Sequence, residues 1–162
     1  WRRVVPSPKP LAIIEEPAIR CLLADDVIVI AVGGGGIPVV KERSGLLRGV
    51  PAVIDKDAAS SLLASNLKAD TLIISTGVDQ VAVNYGKPDQ RWLDHLTVAE
   101  ARRHLRQGQF AAGSMKPKIE AAIRFLEKGG RRVIITQPHH LEKAIAGKAG
   151  TEISECRFPN AE

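Results

Sequence analysis

Aromatic residues are scarce in this 162-residue chain: two tryptophans, one tyrosine and three phenylalanines make up 4% of it. So few ring faces leave little on which single-stranded nucleic acid could stack. The lysines and arginines behind the net charge of +5 are scattered rather than striped, so no nucleic-acid partner is expected. Cysteine is nearly missing as well. Cys21 and Cys156 stand far apart without C-x-x-C or Cys/His spacing, which excludes a zinc site and a disulfide framework and points to a reducing cytoplasm. Long apolar runs are lacking too. The stretch "VIVIAVGGGGIPVV" (27–40) carries no charge but is too short and glycine-rich to span a bilayer, so no membrane partner is expected. The first ten residues, "WRRVVPSPKP", have no apolar core of a secretory signal. No G-x-S-x-G elbow is present and neither cysteine has a histidine context, so covalent catalysis is not indicated.

With 44% hydrophobic and 25% charged residues, the chain reads as one soluble domain over 1–162. Helices alternate with apolar runs. "AIRCLLADD" (18–26) reads as a helix and "VIVIAV" (27–32) as a strand buried on both faces. "DAASSLLASNL" (57–67) reads as a helix capped by Asp57, and "TLIIS" (71–75) as another buried strand. In "TVAEARRHLRQG" (97–108), Thr97 and Glu100 have capping-box spacing and Gly108 is a stop. In "SMKPKIEAAIRFLEKGG" (114–130), Ser114 is the expected cap and Ile119, Ala122, Ile123 and Leu126 form the apolar stripe, ended by Gly129. "RRVIIT" (131–136), a short helix near 139–146 and "GTEIS" (150–154) complete the pattern. Residues 84–96 read as a long excursion and the tail after Cys156 as frayed. The alternation implies an α/β fold with a mostly parallel sheet and helices on both faces, binding loops gathering at the carboxyl ends of the strands.

Three features carry chemistry. Gly33, Gly34, Gly35 and Gly36 follow an apolar run, but Pro38 occupies the position where G-x-G-x-x-G needs its last glycine, so the dinucleotide fingerprint fails. Neither Gly86-Lys87 nor Gly147-Lys148 satisfies a Walker A loop. What remains is a tight turn or a backbone cradle for an anion. Asp55, Lys56 and Asp57 cluster at a helix entrance. A cap accounts for Asp57, whereas Lys56 between two acids suits phosphoryl transfer. Lys118, with Lys116, lies in the first turn of a helix, where a cation opposes the macrodipole. Together with Gly113 and the free N–H groups of that turn it could bind phosphate, or it could point into solvent. The adjacent His139 and His140 lack ligand spacing and read as a solvated helix start. The small basic excess suits a protein that handles nucleotide phosphates.

In order along the chain, "RRVVPSPKP", "GGGGIPVV", "AVIDKD", "STGVDQVAVNYGKPDQ", "GQFAAGSMKPKIEAAIRFLE" and "VIIT" followed by "GKAGTEI" resemble the carbamate kinases, of the amino acid kinase family. The resemblance runs from Trp1 to about Ile153 and corresponds to the C-terminal, nucleotide-carrying half of such enzymes. It implies reversible phosphoryl transfer between ATP and carbamate, giving ADP and carbamoyl phosphate, with magnesium carried by the nucleotide and no metal site on the chain. It implies that Lys56 contacts the transferred phosphate, Asp57 organises the catalytic lysines and Lys118 stabilises charge on the phosphoryl group. Thr76, Gly77, Val78, Tyr85, Pro88, Gly113 and Met115 would shape the nucleotide pocket, with Gly33 to Gly36 near the acceptor and terminal phosphate. Family members are about twice this long, and their N-terminal half supplies another glycine-rich phosphate loop and much of the carbamate pocket. The expectation is therefore a fragment with an incomplete site, forming a homodimer or self-associating through an uncovered apolar surface. A non-catalytic nucleotide-binding or dimer-forming remnant, or a related kinase of acidic amino acids or nucleoside monophosphates, are the alternatives. The pathway would be ATP generation in arginine breakdown or the use of purine-derived carbamoyl phosphate.

Overall fold

The computed structural model describes residue 1 and residues 4–156, so Arg2, Arg3 and the tail at 157–162 lie outside the described residues. The backbone gathers into two compact units, Trp1–Leu67 and Lys68–Glu162.

The first unit opens with helix α1, Glu16–Ala24, which has Pro17 in its first turn, where a missing N–H costs nothing. Glu16 pairs with Arg20 one turn on, at 2.8 Å, and accepts from the Asn66 side chain at 2.6 Å. A 3-10 turn, Gly33–Gly35, leads into a hairpin of β1, Val39–Lys41, and β2, Leu47–Gly49, turned at Gly45 with φ +87°. Helix α2, Lys56–Asn66, closes the unit. The strand expected at 27–32 does not form. The segment has no ladder partner among the described residues, and Ile28 and Ile30 are 93% and 98% exposed. An apolar β-branched run becomes a buried strand only where neighbours supply its hydrogen bonds and cover its faces.

The second unit is built on a four-stranded sheet in the order β3-β7-β8-β6, from β3 (Thr71–Ser75), β6 (His95–Thr97), β7 (Arg132–Thr136) and β8 (Thr151–Ser154). β3 runs parallel to β7 and β6 parallel to β8, while β7 and β8 are antiparallel, so the sheet is mostly parallel as expected. Residues 84–96, read as an excursion, instead hold β5 (Arg91–Leu93), paired with β4 (Val81–Val83), and the start of β6. Three-residue strands are too short to leave a periodic signal.

Helix α3, Val98–Arg106, carries both halves of the capping box: Thr97 accepts from the Glu100 amide and Glu100 from the Thr97 amide. Helix α4, Met115–Glu127, buries the whole expected stripe together with Phe125 and Ala121. Both helices end alike. The Gly108 and Gly129 amides bond to Leu105 and Leu126, and the next amides, of Gln109 and Gly130, reach back to His104 and Phe125. This Schellman arrangement needs a left-handed residue, and the two glycines have φ +67° and +96°. Gly130 is fixed by packing, since a Cβ there would stand 2.2 Å from the Phe125 ring.

Two caps differ from expectation. Asp55, not Asp57, caps α2, its carboxylate accepting from the Ala58 amide at 2.8 Å, which moves Asp57 inside the first turn. Ser114 makes no side-chain cap on α4; its own amide bonds to the Ala111 carbonyl in a turn that already directs the chain. A short 3-10 turn, Pro138–His140, and helix α5, Leu141–Ile145, follow β7. Ala144 of α5 shares a cavity with Thr71, Arg132, Ile134 and Glu152, which places α5 on that face of the sheet. The opposite face, carrying Leu72, Ile74, Val133 and Ile135, is left to α3 and α4. No described helix is long and apolar enough to cross a membrane.

Candidate active site

In the first unit the glycine loop and the Asp-Lys-Asp cluster are brought together. Four residues of the loop take positive φ: Val32 (+49°), Gly34 (+62°), Gly35 (+95°) and Gly36 (+88°). A β-branched residue in that region is strained, and such strain gathers at ligand-binding loops. The Gly35 and Gly36 amides close the turn on Val32 and Gly33 at 2.9 and 3.1 Å. A Cβ on Gly35 would stand 1.9 Å from the carbonyl oxygen of Ile54, so only glycine lets the loop rest on the chain as it enters α2. The two residues that follow Asp55 are the expected catalytic pair. Lys56 Nζ donates to Asp57 Oδ1 at 2.9 Å, with the lysine side chain 56% exposed and the aspartate 10%. Asp57 sits in the first turn of α2, where the macrodipole favours its charge, and its carboxylate holds the Lys56 ammonium.

In the second unit, Thr76, Gly77 and Val78 follow the carboxyl end of β3, and the Thr76 amide extends the β3–β7 pairing by donating to the Thr136 carbonyl at 2.9 Å. Tyr85 and Pro88 lie in the connection between β4 and β5, which is internally braced: Asn84 Nδ2 donates to Asp89 at 2.7 Å and the Gly86 amide to Gln90 at 2.7 Å. Tyr85 meets Trp92 edge to face with ring centroids 6.1 Å apart. Gln109, placed by the Schellman turn of α3, accepts from the Asn84 amide at 2.7 Å and so ties the Tyr85 loop to the segment that ends in Gly113. Met115 and Lys118 stand in the first turn of α4. Lys118 is buried, at 8% exposure, whereas Lys116 is exposed. The first-turn amides are not all free as expected, since that of Lys116 bonds to the Ala111 carbonyl at 3.0 Å. Lys118 thus places a largely buried cationic side chain in the first turn of a helix, where the dipole favours an anion.

The glycines separate structural from unexplained positions. Of the fourteen, Gly33, Gly49, Gly77 and Gly113 combine an ordinary φ with empty space around the position of a Cβ. Neither conformation nor packing requires glycine at those four. Three of them fall in the expected site, where a bound molecule lying close against the backbone would exclude a side chain. The contacts of Asp79, His140 and Gln109 were not legible in the sequence, because they are hydrogen bonds across 25 to 61 residues of chain. Among the described residues no group of three histidines, cysteines or carboxylates could hold a metal ion.

Residues 2–137 match the model of the amino acid kinase family. The chain is 53% identical over 153 residues to the carbamate kinase of Thermoplasma acidophilum and 55% to that of Thermoplasma volcanium, covering 94% of this chain and 50% of each relative. Its structure is similar to that of Giardia lamblia carbamate kinase bound to AMP-PNP, with a TM-score of 0.91, 47% identity, and coverage of 95% of this chain and 48% of that one. The chain spans about half the length of the curated relatives it matches.

Proposed function

The chain belongs to the amino acid kinase family, and from that premise we propose that it carries the nucleotide-binding part of a carbamate kinase-like phosphotransferase. The reaction is reversible transfer of the γ-phosphoryl group between ATP and carbamate, giving ADP and carbamoyl phosphate. The observation that carries the reading is the set Gly33, Gly77 and Gly113, glycines that neither backbone conformation nor packing in the fold requires. The AMP-PNP held by the Giardia relative supports the same ligand class.

In-line phosphoryl transfer needs little covalent chemistry from the protein; it needs positioning and neutralised charge. Lys56 contacts the transferred phosphate and Asp57, ion-paired with it, fixes where its ammonium stands. Lys118 stabilises charge developing on the phosphoryl oxygens, an anion there relieving its conflict with the α4 dipole. Thr76, Gly77, Val78, Tyr85, Pro88, Gly113 and Met115 border the nucleotide, and Gly33 to Gly36 lie near the acceptor and terminal phosphate. Magnesium would be borne on the nucleotide phosphates. There the ion would neutralise phosphate charge. The cytoplasm is the compartment proposed.

The test is to incubate the chain with ADP and carbamoyl phosphate and follow ATP by phosphorus NMR. Formation of ATP that is lost in Lys56→Ala and Lys118→Ala supports the full reading. Saturable ADP binding without ATP formation supports the nucleotide part alone, and absence of both overturns the proposal in favour of a remnant of the fold.

A further inference from the structure

We propose that Asp79 and His140 form a clasp that fixes the Thr76–Val78 segment for its nucleotide, with His140 as a positioning residue; this rests on the nucleotide reading of that segment. The two residues are 61 positions apart and lie beyond the carboxyl ends of the neighbouring parallel strands β3 and β7. His140 Nδ1 is 2.7 Å from Asp79 Oδ1. Against a carboxylate at that distance Nδ1 must carry the proton and donate, so Gln137 Nε2, 3.4 Å from the same nitrogen, does not donate to it. The same carboxylate oxygen accepts from Thr136 Oγ1 at 3.2 Å, and Thr136 is fully buried, so the point of attachment is fixed by the core.

The segment is thus held at both ends. On the near side the Thr76 amide donates to the Thr136 carbonyl. Beyond Asp79, Gln80 Nε2 donates to Asp94 at 2.5 Å and to the Gly150 carbonyl at 3.2 Å, and the Val81 amide donates to Thr151 Oγ1 at 2.8 Å. Between these anchors Gly77 contributes no side chain to hold the backbone, and the Asp79 clasp is the nearest side-chain restraint. Both partners are more than one-third exposed, at 37% and 36%, so the pair adds little to global stability. Its effect is local: a segment ordered before the ligand arrives binds without the cost of ordering it then. His140, set aside in the sequence as a solvated helix start, thereby acquires a role through Asp79.

The test uses the whole chain, with amide hydrogen exchange of residues 76–80 measured without nucleotide and ADP affinity measured by calorimetry. His140→Ala is expected to speed exchange in that segment and weaken ADP binding by about 5- to 10-fold. His140→Asn, whose Nδ2 places an N–H donor where Nδ1 stood, is expected to restore both. Lys118→Ala is expected to weaken binding while leaving exchange at 76–80 unchanged. Unaltered exchange in His140→Ala overturns the clasp, and faster exchange with unaltered affinity overturns its link to the ligand. Failure of the wild-type chain to bind ADP overturns this inference together with the reading beneath it, an outcome distinct from the other two.

Discussion

In the second unit Ile134 and Ile135 of "RRVIIT" are 1% and 0% exposed, whereas in the first Ile28 and Ile30 of "VIVIAV" are 93% and 98% exposed, although "VIVIAV" is the more apolar of the two runs. The difference lies in their neighbours. β7 has β3 on one side and β8 on the other and helices packed against it, while 27–32 has no ladder partner among the described residues. Apolar patterning states what a segment can do; pairing decides whether it does so. The candidate site divides along the same line. Lys118 and the residues expected to border the nucleotide stand in the second unit, whereas Lys56, Asp57 and Gly33 to Gly36 stand in the first, with its glycine turn, hairpin and two helices.

That contrast predicts a graded series. Phe125→Ala, at a fully buried ring in the second unit, is expected to cost about 3–5 kcal/mol in urea unfolding. Gly35→Ala meets both a forbidden φ and the Ile54 carbonyl. It is expected to cost about 1–3 kcal/mol and to loosen the loop, read by amide exchange at 33–36. Thr97→Ala removes one half of the α3 capping box and is expected to cost about 1 kcal/mol, measured by the same unfolding. Ile30→Ser, in contrast, is expected to stay within about 0.5 kcal/mol in the same unfolding, because the side chain it removes is already in solvent. A loss at Ile30 as large as that at Phe125 would erase the distinction between the units.

Legibility in the sequence follows the range of the interactions. The α3 capping box, the glycine stops of α3 and α4, the apolar stripe of α4 and strands β3 and β7 depend on spacing within one element, and all are present where the pattern puts them. The α2 cap was displaced by two residues because Asp55 and Asp57 are equally capable acceptors and only backbone geometry chooses between them. The β4–β5 hairpin was invisible because its three-residue strands leave no periodic signal, and the Asp79–His140 pair because it joins segments 61 residues apart whose proximity arises only once β3 and β7 have paired. The expected site residues rest on the resemblance, and it is the φ angles and surroundings in the structure that separate Gly35, which packing demands, from Gly33, Gly77 and Gly113, which it does not.

The most direct measurement is calorimetric titration of ADP into the wild-type chain and Lys118→Ala. The account predicts saturable binding with one site per chain, weakened about 10- to 100-fold by loss of the buried ammonium. No binding by the wild type, or equal affinity in the two proteins, would contradict it.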